Sequence, residues 1–367
     1  MQAIAERTVA CRTDDQRWLV ETRAIVADLL RPNAAVYWID LVATLAVGYP
    51  ALVLYSQMSG VTWQRGLCYV LAVVSLFRAG SFMHELAHLG RGELRSFHWG
   101  WNLLFGVPFL MPSFFYLSHL GHHNTHYFGT REDGEYLPLA SGSFGTWLEF
   151  LIQVPLMPVG IMTRFLLSPL TFLHPKLRRW VLEHASSFVI NFRARRPLPR
   201  LAPTTEWAVL ELACSAMIWG LMLGTILDWP MLVHLGPVLL VVFGILALNY
   251  LRTLVAHRYL SVGGEMTLLE QLGDSINIEG RTLLTELAFP VGLRYHALHH
   301  LFPSIPYHNL GIAHRRLMAR LPADSPYRRS VFPSTWAAIK CLGTDFCVAR
   351  KSRAQGRLDG VGIWERQ

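Results

Sequence analysis

Charge is scarce in this sequence. Asp, Glu, Lys and Arg make up 16% of its 367 residues, against roughly 25% in an ordinary soluble protein. With 52% hydrophobic residues, the chain reads neither as a disordered polymer nor as the two soluble domains that its length alone would permit. Cysteine is scarcer still. The five present, Cys11, Cys68, Cys214, Cys341 and Cys347, form no Cys-x-x-Cys pair. That excludes a disulfide scaffold and argues against a built-in rubredoxin, zinc ribbon or iron–sulfur site. Glycine follows no period, so a collagen-like chain is excluded as well. Lysine is nearly missing, with three against 30 arginines. The first 33 residues alternate Arg with Asp and Glu and hold no apolar run, so no cleaved secretory signal is expected there.

What the chain does have is long apolar runs. A membrane span needs roughly 20 apolar residues. Leu41 to Gln64 contains no formal charge and breaks at Ser56-Gln57-Met58-Ser59-Gly60, which predicts a span over about 35–56 and a second over 61–83. Residues 206–227, interrupted by Glu211, and residues 229–251 are the third and fourth candidates. Two further runs are broken by proline: Trp99–Ser118 by Pro108 and Pro112, and Phe144–Leu167 by Pro155 and Pro158. These read as interfacial or re-entrant segments. Tyr37, Trp38, Trp63, Trp99, Trp101, Trp207 and Trp229 read as interface anchors. Between 164 and 200, eight basic residues (Arg164, Lys176, Arg178, Arg179, Arg193, Arg195, Arg196 and Arg200) face the single acid Glu183. The positive-inside rule makes that stretch cytoplasmic. Four spans then place the N-terminus, residues 84–204 and everything after 252 on one side.

Histidine is the residue in excess. Eight of the 16 fall in three clusters: His84-Glu85-Leu86-Ala87-His88, His119-Leu120-Gly121-His122-His123 and His296-Ala297-Leu298-His299-His300. On a helix, imidazoles at i and i+4 point the same way, while i+3 and i+4 diverge enough to reach two neighbouring metals. Imidazole suits zinc, copper, iron and nickel. Eight exceed what one ion can use, so a dinuclear site is expected if all are ligands. His98, His174, His184, His234 and His314 read as structural or solvated; His126 and His257 stand between the two cases.

The order HxxxH, HxxHH, HxxHH, with a long apolar interval before the third box, resembles the membrane fatty acid desaturase/hydroxylase superfamily over residues 35–312. His119-Leu-Gly-His-His-Asn-Thr-His126 and Gly292-Leu-Arg-Tyr-His-Ala-Leu-His-His-Leu-Phe-Pro303 look like its second and third boxes. Leu251-Arg-Thr-Leu-Val-Ala-His257-Arg-Tyr is similar to the segment that supplies one more histidine in relatives. The resemblance implies nine ligands: His84, His88, His119, His122, His123, His257, His296, His299 and His300. A further contact that some relatives make through Asn falls on Thr253 here, with Asn249, Asn277 or water as replacements. The third box begins with His296 rather than Gln, which looks like ordinary acyl desaturases and unlike front-end ones.

The implied fold is an all-α integral membrane protein with four transmembrane helices and a cytoplasmic helical cap that carries a histidine-rich di-iron site. An N-terminal segment (1–33) and a C-terminal tail (313–367) flank the membrane domain (34–312). Both termini are expected in the cytoplasm, and the expected location is a bacterial inner membrane.

The implied cofactors are two iron ions with O2 as co-substrate. The implied partners are a fatty acyl substrate linked to lipid, CoA or acyl carrier protein, the bilayer, and a separate electron donor such as a ferredoxin, rubredoxin or cytochrome b5. No nucleic acid is expected. Glu85, Asp133, Glu135 and Asp274 are candidates to orient ligand N–H groups, and no protein acid or base is required for attack on a C–H bond. The leading expectation is an O2-dependent desaturase of a fatty acyl group. Its first alternative is a hydroxylase or ketolase using the same site. A zinc peptidase, which His84-Glu85-Leu86-Ala87-His88 also fits, and a metal transporter lie outside that class.

Overall fold

The computed structural model of the chain describes residues 15–90, 92–196, 198 and 204–354. Residues 1–14 with Cys11, Arg200 of the basic segment, and residues 355–367 of the tail lie outside the described residues. The described chain is mostly helical. One two-residue parallel pair, Asn277–Ile278 with Val331–Phe332, ties the segment before the third histidine box to the tail.

Five helices are long and apolar enough to cross a membrane: α1 (Ala34–Gln57), α2 (Trp63–His88), α3 (Phe144–Leu166), α4 (Thr204–Ile226) and α5 (Leu235–Leu254). Leucines and valines stand exposed on their outer faces, among them Val42, Val70, Leu151, Leu212 and Leu240. Side chains of that kind on so many helix faces belong against lipid tails, and the chain is a multi-pass membrane protein.

α1 and α2 form a hairpin. Asn33 caps α1, its side chain accepting from the amide of Ala35, and Thr62 caps α2 through the amide of Arg65. Gly60, with φ +75°, supplies the left-handed residue between them. Arg78 and Asp40 pair across the hairpin, with Arg78 Nε donating to Asp40 Oδ1 at 2.9 Å. A charge on each helix is thus neutralised within the protein, where Tyr307 OH also donates to Asp40 Oδ2 at 2.9 Å. α2 runs to His88, five residues past the expected 83, and so carries the first histidine box on its last turns.

α4 and α5 form the second hairpin. The fourth span was expected from Trp229, but α5 starts at Leu235. Asp228 takes a left-handed φ of +52° and the Trp229 amide bonds back to Gly224. Pro230 then has no N–H with which to continue a helix, so residues 227–234 become the turn. α5 compensates at its other end by reaching Leu254.

The two proline-broken runs behave differently. From Arg95 the chain makes a short helix to Trp101, a wider turn over Asn102–Gly106 and a tight turn at Ser113–Tyr116. Asn102 clasps both limbs, donating to His98 O and Ser113 Oγ and accepting from the Ser113 amide. This run folds back on itself. The other run is one unbroken helix, α3, despite Pro155 and Pro158. Each proline removes one amide bond, and packing on α4 and α5 holds the rest.

Three expected interface anchors are instead core residues. Tyr37 and Trp101 are fully buried and Trp207 nearly so. Trp101 Nε1 donates to Ala79 O on α2, and Trp207 stacks on Phe114 at 5.2 Å. Trp63 and Trp229 are exposed, as anchors should be. The basic segment is likewise not all surface. Arg164 and Arg178 both reach the buried Glu211 of α4, at 2.6 and 3.0 Å, and buried Arg196 donates to the carbonyls of Phe114 and Leu182.

Candidate metal centre

The C-terminal ends of α2 and α5 converge on a short helix, His119–His122, and on another, His296–Leu301. This convergence brings all nine singled-out histidines together. They form two groups, within each of which the nearest ring nitrogens all lie within 4.8 Å of one another: His84, His88, His119, His123 and His299 in one, and His122, His257, His296 and His300 in the other. The division follows helical geometry. In the second box, His119 and His123 (i, i+4) go to the first group and His122 (i+3) to the second. In the third box, His296 and His300 go to the second group and His299 to the first.

Nε2 atoms face each other at short range. His123 lies 3.0 Å from His119 and 3.1 Å from His299, and His299 lies 3.1 Å from His88. In the second group, His257 is 3.1 Å from His122 and 2.9 Å from His296, which is 3.1 Å from His300.

The outer nitrogens decide what these contacts are. His122 Nδ1 lies 2.8 Å from Asp133 Oδ2, and His119 Nδ1 lies 3.0 Å from Glu135 Oε1. His257 Nδ1 lies 3.3 Å from Ser275 Oγ and 3.4 Å from Asp274 Oδ2. A carboxylate at Nδ1 keeps the proton there and turns the Nε2 lone pair inward. His122 and His257 therefore point lone pairs at each other, an arrangement that repels unless a cation lies between them. His84 makes the same point, since both its ring nitrogens are buried without a hydrogen-bond partner. Adjacent nitrogen ligands about 2.1 Å from one ion, at right angles, stand roughly 3 Å apart. The donor set fits two metal ions, one per group.

Electrostatics favour ligation at five of the positions. Burial, reinforced by neighbouring imidazoles, holds His119, His123, His296, His299 and His300 well below the ordinary histidine pKa, in the neutral form that ligates. Burial pulls His122 the same way, but the charge and hydrogen bond of Asp133 overcome it and leave His122 above its ordinary value. Burial raises Glu135 to about 7.

Of the four acids singled out, Asp133, Glu135 and Asp274 back ligand-position rings. Each is itself held: Asp133 accepts from the amides of Gly129 and Glu135, Glu135 from Tyr116 OH, and Asp274 from Tyr136 OH and the Leu260 amide. Glu85 faces elsewhere. It accepts from Tyr37 OH and from the Tyr307 amide, tying α2 to α1 and to the helix Tyr307–Arg320. A zinc peptidase would need that carboxylate as its base beside the metal, and here it is committed to packing. His126 stays outside, exposed and 3.3 Å from exposed Glu265. Asn277 is also committed, accepting from the Leu298 amide and donating to Ser330 Oγ.

A largely apolar cavity meets the centre at His84. Met83, Tyr116, Glu135, Asn249, Arg252 and Thr253 line its near end, and side chains of α2, α3, α4 and α5 line the remainder together with residues 108–111 and 188–190. On α5 the lining residues run from Leu235 through Val238, Val242, Ile245 and Asn249 to Thr253, a stripe about 27 Å long at 1.5 Å per residue. Arg252 and Tyr116 were not singled out from the sequence. An arginine five residues before His257 was the available signal.

Two comparisons bear on this arrangement. The profile of the family described as fatty acid desaturase matches residues 61–332. A ceramide hydroxylase from Caulobacter vibrioides (strain NA1000 / CB15N) is 39% identical over 347 residues, covering 92% of this chain and 95% of that protein.

Proposed function

The chain belongs to the fatty acid desaturase family, and from that premise we propose that it is a di-iron membrane oxygenase that hydroxylates a ceramide or similar long-chain lipid. The observation that carries hydroxylation over desaturation is the 39% identity to a ceramide hydroxylase along nearly the whole of both chains. The histidine boxes serve both outcomes alike, so the desaturase expectation gives way to its alternative.

The nine histidines are the proposed ligands, five to one iron and four to the other. Two irons held there would supply the reduction of O2, a chemistry in which one oxygen enters a C–H bond, the other leaves as water, and two electrons and two protons are consumed. The chain's own residues do the rest. Asp133, Glu135 and Asp274 fix ring orientation, so little reorganisation accompanies the reaction. The apolar stripe of α5 lays the lipid chain against His84, and Phe77, Met83 and Phe109 keep water from that end. Electrons come from a separate donor protein, such as a ferredoxin, rubredoxin or cytochrome b5.

We read four of the five long helices as spans, with the centre and both termini on the cytoplasmic side of a bacterial inner membrane. Two contacts support leaving α3 out of the crossing count. Its first half meets the site end of α5, where Tyr250 OH donates to Gln153. Its last turn meets the early part of α4 through Arg164 and Glu211, and α4 itself begins beside Phe114, close to the second box.

The test is expression in a ceramide-producing host lacking this activity, with lipid mass spectrometry. Ceramide heavier by one oxygen is expected, and it should disappear in His123→Ala and His300→Ala. Loss of two hydrogens without added oxygen would return the reading to desaturation. One zinc per chain and no iron would defeat both.

A further inference from the structure

We propose that Arg252 receives the polar end of the substrate, hydrogen-bonding an amide oxygen of an N-acylated lipid so that oxidation falls on a carbon near that end. This rests on the lipid-hydroxylase reading and adds to it how the lipid is oriented.

Arg252 lies on the last turn of α5, inside an apolar hairpin, and is 9% exposed. An ionisable side chain in such a place needs a partner. Its protein contacts are two neutral oxygens of its own helix: Nη2 donates to Asn249 Oδ1 at 3.3 Å and to Thr253 Oγ1 at 3.1 Å. Nε is buried and has no partner among the described residues. Asp40 answers Arg78, and Glu211 answers Arg164 and Arg178; among the described residues no carboxylate pairs directly with Arg252, and Glu135, which feels its charge, is already bonded to His119 and Tyr116. The guanidinium lines the cavity beside His84, while the opposite stretch of α5, from Leu235 to Val242, offers the cavity aliphatic side chains. Charge at one end and apolar wall at the other orient a lipid of one polar end. The chain lies along α5 and the polar end lies at the metal centre. Asn249 and Thr253 hold the guanidinium in place, which leaves its remaining N–H groups for an acceptor oxygen.

Binding and product are read separately, with the full-length protein in lipid nanodiscs. The binding probe is a long-chain ceramide, with an alkane of matched length as the amide-free control. Arg252→Met should weaken ceramide binding about 10- to 100-fold, the usual range for loss of a charge-assisted hydrogen bond, and leave alkane binding and iron content unchanged. Arg252→Lys should keep part of the affinity, and Asn249→Ala with Thr253→Ala, which leaves the charge in place, should cost less than Arg252→Met. Product fragmentation should place the new hydroxyl within a few carbons of the amide. Equal ceramide affinity in wild type and Arg252→Met, or a hydroxyl in mid-chain, overturns the proposal while hydroxylation stands. Arg252-dependent ceramide binding with a desaturated product upholds it while the hydroxylase reading falls. Displacement of ceramide by lower concentrations of palmitate would overturn the amide as the group recognised.

Discussion

His122 shows how a single ring is aimed. Its Nδ1 faces Asp133, whose carboxylate is pinned by two backbone amides, and its Nε2 faces His257. Asp133→Asn keeps the size and removes the charge that holds the proton at Nδ1. It should lower iron affinity roughly 10- to 100-fold, seen as iron retained per chain after dialysis against a chelator. Ser275→Ala removes a longer contact, with Asp274 still beside His257, and should cost several-fold at most. Equal losses would show that the two positions act by packing instead. His314 makes a different prediction. It is buried against Tyr295 and bonds Tyr327 OH, and burial beside Arg294 and Arg315 lowers it to about 4. The unfolded chain protonates this ring near pH 6.5, so between pH 6.5 and about 4 the unfolded state holds the extra proton. Its contribution is full above pH 6.5 and is lost as pH falls through that window, by roughly 3 kcal/mol in all. Unfolding midpoints for His314→Gln should fall less steeply over that window than wild type. Parallel curves would remove His314 as the cause.

Helices are held together here by what each gives up. Gly244 of α5 allows close approach to α2, since a Cβ there would lie 2.7 Å from Val73 Cγ2 and 2.6 Å from Tyr69 OH; small residues are how apolar helices gain contact in lipid. α3 is held by charge instead. Glu211 is wholly buried and binds Arg164, Arg178 and Ser168. Glu211→Gln leaves two arginines without a counter-charge and should destabilise the protein by about 3 to 5 kcal/mol, measured as the unfolding midpoint in detergent. A midpoint within error of wild type would mean that water reaches those arginines. Proline misled the reading of this element. Pro155 and Pro158 signalled a break because local rules see a missing N–H, whereas the helix is secured by Gln153 bonding Tyr250, Glu149 O and Ile190 O, partners distant in sequence or invisible to hydrophobic patterning.

Across the whole molecule, the metal centre draws on four separated stretches of chain, and their common side fixes the parity of crossing. Alkaline phosphatase fusions test this. They should be active after residues 59 and 230, in the two hairpin turns, and inactive after residues 130, 190 and 354. Activity at 190 but not at 130 would make α3 a fifth crossing. The tail belongs to the same body. Its helix Tyr307–Arg320 continues through residue 312, and Asp345 on the helix Thr335–Ala354 pairs with Arg258, next to His257.

Much of this was written in the sequence, because hydropathy and helical spacing are local properties. The apolar runs carried the two hairpins, and the i, i+3, i+4 spacing of the boxes carried a dinuclear arrangement. His257 entered through its surrounding motif. What spacing could not supply was partnership. Asp133, Glu135, Asp274 and Glu85 are alike as acids near histidines, and only the fold sets three of them against imidazole Nδ1 atoms while turning Glu85 to Tyr37 and the Tyr307 amide. Likewise Tyr37, Trp101 and Trp207 are aromatic residues near helix ends by sequence and core residues in space. Nothing in the local sequence singles out Arg252. Its meaning comes from having no carboxylate in direct ion-pair contact, and that is settled where chain segments meet, since a buried charge is defined by its neighbours.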